Sequence, residues 1–77
     1  MLNNLIDSDT PEITWAASMA RSLENQYNKK EITIDEYTEL LEDIVNDKRI
    51  TSLANTLKEK IELEEAIDLL IQVATQI

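Results

Sequence analysis

Apolar residues return at every third or fourth position over three stretches of this chain, separated by polar residues suited to helix ends. In the first stretch, Ile13, Ala16, Ala20, Leu23 and Tyr27 share one stripe, which predicts a helix from about Pro11 to Tyr27 with two alanines where a neighbour can approach closely. Asp9 or Thr10 is placed to cap its amides. Pro11 suits the first helical position, and Glu12 faces the positive end of the helix dipole. At the other end Asn28 or Lys30 must take the left-handed exit conformation that glycine normally supplies.

The strongest local signal is Ile32-Thr33-Ile34-Asp35-Glu36-Tyr37. Thr33 and Glu36 have the spacing of a capping box, in which each side chain satisfies the other's backbone amide, and Ile32 can staple onto Tyr37. A second helix is predicted there, with Ile34, Tyr37, Leu40, Leu41, Ile44 and Val45 as its apolar stripe and Lys48 and Arg49 as charges at its C-terminus. A linker of about five residues implies an antiparallel helical hairpin. From Leu23 to Leu41 the chain resembles the hairpins in which an Ile-Thr-x-x-Glu-Tyr turn starts the second helix, as in SHOCT-type C-terminal hairpins. The resemblance covers about a quarter of the chain, departs from the pattern with Lys30 where glycine is usual, and implies a hairpin but no function.

Beyond Ile50 two apolar phases follow one another: Leu53, Leu57 and Ile61, then Leu63, Ala66, Leu70, Val73 and Ile77. Lys58 and Lys60 before the change, with Glu62, Glu64 and Glu65 after it, resemble the charges at one helix's end and the next one's beginning. The expectation is a kink or a short helix followed by a long one, with the break near Ile61; a single long helix is the alternative, because no Pro, Gly or capping side chain lies between 57 and 65. Residues 1–9 read as a polar lead in which Leu2, Leu5 and Ile6 fit one helical turn, and residues 10–77 as a single helical domain. The predicted fold is therefore all-α, a small bundle of three to four helices built on an antiparallel helical hairpin.

Composition sharpens this picture mainly by exclusion. The 77 residues contain no Gly, Cys, His or Phe and a single Pro. Without glycine, tight β-hairpins lose their usual turn residue, and a P-loop or dinucleotide fingerprint is ruled out. Without His or Cys there is no imidazole base, thiolate nucleophile or ordinary zinc site. No enzymatic activity and no cofactor are expected. Asp7 and Asp9 begin like a calcium loop, but Glu12 falls where glycine is needed and Ser18 where a bidentate Glu is needed, so the loop is not an EF-hand. No apolar run exceeds three residues, and the start lacks the basic and apolar regions of a secretory signal; a cytoplasmic protein with no membrane partner is the expectation.

Sixteen acids against seven bases give a net charge of −9. Direct nucleic-acid binding is not expected, since the bases are scattered as the pairs Lys29/Lys30, Lys48/Arg49 and Lys58/Lys60. From Glu31 to Asp47 there are seven acids and no base, and Asp35, Glu36, Glu39, Glu42 and Asp43 belong to one predicted helix. This acidic face either keeps the protein soluble or meets a basic protein surface.

Two further features compete between core and contact surface. Trp15 and Met19, one turn apart and about 100° from the main stripe, either widen the core face or anchor a partner. The segment from Leu69 to Ile77 carries no charged side chain. It is either central to the bundle or covered by another chain, which makes Leu69, Leu70, Val73 and Ile77 a candidate oligomer seam. The functional expectation is a small acidic adaptor or inhibitor, nucleic-acid-mimicking or phage-like in character, that docks on a basic surface of a larger protein. The alternative is a structural homo-oligomer or scaffold subunit joined through the uncharged C-terminal helix.

Overall fold

The Thr33–Glu36 capping box is formed in the computed structural model of the chain: the Glu36 amide donates to Thr33 Oγ1 at 3.2 Å, and the Thr33 amide donates to Glu36 Oε1 at 3.0 Å. The structure describes residues 2–76, with Asn3 described by its backbone only. Its described residues form five helices and no strand: α1 (Leu2–Ile6), α2 (Pro11–Asn28), α3 (Ile34–Asn46), α4 (Lys48–Thr51) and α5 (Lys58–Thr75). The fold is thus all-α and bundle-like, with three long helices and two short ones.

Helix α2 follows its predicted stripe closely. Ile13, Ala16, Ala20 and Leu23 are buried, and Ala17, which the stripe omitted, joins them. Its N-terminus has Thr10 at the N-cap, Pro11 in the first helical positions and Glu12 in the first turn, as expected, but Thr10 does not cap through its side chain. The Thr10 hydroxyl donates instead to Glu59 Oε1 at 3.3 Å, and its amide is satisfied by Ser8 Oγ at 3.0 Å. A tertiary contact to the start of α5 has displaced the local cap. At the C-terminus Lys30 takes the left-handed conformation, with φ of 62°. The Glu31 amide reaches back to the Gln26 carbonyl and the Lys30 amide to that of Tyr27, the two bonds of a Schellman motif formed without glycine.

Helix α3 ends earlier than its charges suggested. Lys48 and Arg49 do not close it; Asp47 turns the backbone out of the helix and accepts from the Arg49 amide at 2.9 Å, capping α4. That short helix buries Ile50 completely.

The break in the C-terminal region falls at residues 52–57, not near Ile61. Lys58 and Lys60 open α5 rather than end a preceding helix, and Lys58 pairs with Glu62 one turn on, at 3.9 Å. Lys60 is buried at 6% exposure; its ammonium donates to the Leu53 carbonyl at 3.1 Å and to Asn55 Oδ1 at 2.9 Å. A cation with hydrogen-bond partners can be buried at acceptable cost. Here those partners come from the preceding loop, which is thereby tied to α5.

Helix α5 contacts both α2 and α3, and α1 contacts α2 and α5. The core gathers Ile13, Tyr37, Leu41, Ile50, Leu63 and Ile67, and Leu5 of the polar lead is buried in it at 2% exposure. The inward phase of α5 is Leu63, Ala66, Ile67 and Ala74, with Leu70 half-buried. Val73, expected on that inward phase, points outward at 57% exposure. The 3.6-residue period carries burial from Leu70 to Ala74 rather than to Val73 once Ile67 joins the stripe. Among the described residues, no helix is long and apolar enough to cross a membrane.

Candidate functional site

The side of the α2–α3 pair bordered by Trp15, Met19 and Leu23 on one helix and Leu40 and Ile44 on the other encloses an apolar groove of about 160 Å³. Asp43 and Asp47 border the same groove. Leu23 and Ile44 form its floor by belonging to the buried core, whereas Met19 and Leu40 remain exposed at 42% and 40%. Two large apolar side chains therefore face water across one trough. Ile61, Leu69 and Val73 are exposed to a similar or greater degree, so what distinguishes Met19 and Leu40 is that they border one groove together.

Trp15 is half-buried and is the chain's single tryptophan. The Arg49 guanidinium lies over its ring, 3.7 Å from the centroid, and binds the Asp47 carboxylate through Nε at 3.0 Å and Nη2 at 3.3 Å. These bonds hold the Asp47 carboxyl below the usual carboxylate range and raise Arg49 in turn. One end of the groove thus already shows a guanidinium seated on an indole face and a carboxylate.

All five acids singled out on α3 are exposed: Asp35, Glu36, Glu39, Glu42 and Asp43. They do not have equal roles. Glu36 is engaged in the capping box, whose hydrogen bonds from Thr33 lower its pKa. Asp43 borders the groove, and no ion pair among the described residues engages Asp35, Glu39, Glu42 or Asp43. Among the described residues no group of three or more acidic side chains is placed to hold a metal ion.

The C-terminal candidates divide. Leu69 is exposed at 46% and Val73 at 57%, Leu70 is half-buried, and Ile77 lies outside the described residues. Leu70 and Val73 also border a shallow hollow against Tyr27 and Tyr37. Sequence reasoning did not anticipate the contribution of Leu40 to the groove or the Arg49–Trp15 contact. Leu40 lay in the predicted α3 stripe, but that stripe is wider than the core it covers, and this excess was the available signal.

Comparison of the chain with family models, curated proteins and solved structures gave no match. The resemblance of residues 23–41 to SHOCT-type hairpins therefore rests on the local turn motif alone.

Proposed function

We propose that the protein is a small non-catalytic interaction module, an adaptor or inhibitor, that docks on a basic surface of a larger protein in the cytoplasm. The observation that carries this reading is the exposure of Met19 and Leu40 across an apolar groove bordered by Asp43 and Asp47. Apolar anchors within a charged rim are the arrangement of protein interfaces: the anchors supply affinity through desolvation, and the charges speed encounter and set orientation. The hairpin belongs to the same proposal. An antiparallel α2 and α3 accounts both for the Tyr27–Tyr37 stack beside the turn and for a groove that joins Trp15 to Asp47.

The test uses two baits, the wild-type chain and a variant carrying Glu39→Lys, Glu42→Lys and Asp43→Lys. A partner retained by the wild type should bind it more weakly as salt rises, and should lose both affinity and salt dependence with the variant. Equal binding of the same partner to both baits sinks the reading.

A second reading, a homo-oligomer, is favoured by one observation. Leu69 and Val73 are exposed on the one stretch of α5 that lacks charged side chains. In that reading the two residues form a seam between copies of the chain.

A further inference from the structure

Resting on the docking reading above, we infer that the groove receives a basic amphipathic helix of the partner. One large apolar side chain of that helix seats between Met19 and Leu40, and its Arg or Lys residues meet the carboxylates of α3. Three features lead to this occupant. The groove is bordered by i, i+4 rows on both helices, Trp15, Met19 and Leu23 on α2 and Leu40 and Ile44 on α3. Such paired rows leave a trough that accepts the side-chain ridge of a third helix. From Trp15 to Leu23 the trough runs about 12 Å along α2, a little over two helical turns.

Charge decides between candidate helices. A second copy of this chain would bring another −9 against a border where Asp43 is unpaired and Asp47 is balanced by Arg49, so like charges oppose self-docking at this face. A basic helix meets the opposite condition, since its cations approach Asp35, Glu39, Glu42 and Asp43, which no ion pair among the described residues engages. The chain also displays the chemistry internally, where Arg49 places its guanidinium on the Trp15 ring while binding Asp47. Because Arg49 already occupies that pair, an incoming arginine meets instead the unengaged carboxylate of Asp43, the other acid at the border of the groove. Apolar anchors presented from one face of a helix, with bases on its flanks, form a recurrent mode of helix-in-groove recognition.

The experiment titrates the full chain with three synthetic peptides of equal length and follows Trp15 emission and backbone amide NMR shifts. The first peptide has a Leu stripe at helical spacing flanked by Lys and Arg. The second has the same composition scrambled to destroy the stripe, and the third has the stripe residues replaced by Ser. The first should shift Trp15 emission and the amides of Met19 and Leu40, and bind at least about tenfold more tightly than the other two, the scale of losing a desolvated anchor. Met19→Lys and Leu40→Lys alter exposed positions, so helicity and melting temperature should hold while binding of the first peptide falls at least about tenfold. Equal, salt-dependent binding of all three peptides, with Trp15 unaffected, overturns the helix inference and leaves the acidic docking reading standing. Failure of every peptide to bind at low salt overturns both. A Trp15 shift that depends on protein concentration without peptide overturns the inference in favour of a second copy in the groove.

Discussion

Tyr27 and Tyr37 stack face to face where α2 meets α3, with ring centroids 4.6 Å apart and planes within 4°. Tyr37 is the buried member, at 2% exposure. The stack closes the end of the helix pair beside the turn, while Trp15 and Arg49 occupy the region near α4. Aromatic contacts therefore bracket the α2–α3 interface.

The phenol of Tyr37 makes this stack sensitive to pH. Burial, with smaller effects from the Glu24 carboxylate and Tyr27, pushes its pKa from 10.0 up to about 12. The unfolded chain releases this proton near pH 10.0 while the folded chain retains it, so the folded state binds more protons between the two values. Its stabilising contribution is full below pH 10.0 and is lost as pH rises towards 12. In alkaline unfolding titrations, Tyr37→Phe should lose stability less steeply than the wild type over this window. Parallel slopes would show that the hydroxyl does not couple to folding.

The turn beneath the stack contains a local strain that a single substitution should relieve. Lys30 holds φ at 62°, a region that costs an ordinary residue about 1–2 kcal/mol and glycine little. Glycine also widens the freedom of the unfolded chain, which offsets about 0.4–1 kcal/mol of the gain. Lys30→Gly should therefore raise stability by about 0.5–1 kcal/mol, and Lys30→Val should lower it. Chemical denaturation of the three proteins checks the order, and a destabilised glycine variant would contradict it.

How far the sequence discloses this molecule depends on whether a feature is set locally. The capping box and the alanine-rich stripe of α2 are encoded within a few residues of where they act and are legible; the left-handed exit is legible to within two candidates, Asn28 or Lys30, of which Lys30 takes it. The side-chain bond at the α2 N-cap, the end of α3 and the start of α5 are not. Each is decided by a partner that local pattern does not reveal: Glu59 takes the Thr10 hydroxyl, Asp47 takes both the amide and guanidinium of Arg49, and the Leu53–Asn55 loop takes the Lys60 ammonium. The candidate site shows the same division. Trp15 and Met19 stand out as off-stripe apolar residues, whereas the groove itself needs the spatial pairing of α2 with Leu40.

Lys60 supplies a test of that tertiary logic. Its two hydrogen bonds hold residues 53–55 against the first turn of α5, where Leu57 provides no side-chain cap. Lys60→Met keeps most of the stem and its packing but removes the donor. The expected cost is about 1.5–3 kcal/mol, the scale of hydrogen bonds from a charged donor, concentrated in faster amide exchange over 53–61 with α2 and α3 unaffected. Unchanged exchange in that segment would show that the loop is held by Leu53 and Leu57 packing alone.

The exposed Leu69 and Val73 set the remaining balance between docking module and oligomer. Stable interfaces generally bury more than about 1,000 Å² in total, and two exposed side chains fall well short of that without wider rearrangement. Each approaching copy also brings a charge of −9, so association at this seam must overcome a long-range repulsion that salt screens. Sedimentation should accordingly show a monomer at low micromolar concentration. Weak self-association should appear only at higher concentration and strengthen as salt is added, opposite in sign to the salt dependence expected for a basic partner. Val73→Asp should abolish that weak association without altering helicity, since Val73 is 57% exposed. A stable oligomer at low micromolar concentration, independent of salt and dissociated by Val73→Asp, would instead make the α5 seam the functional surface and favour the structural role.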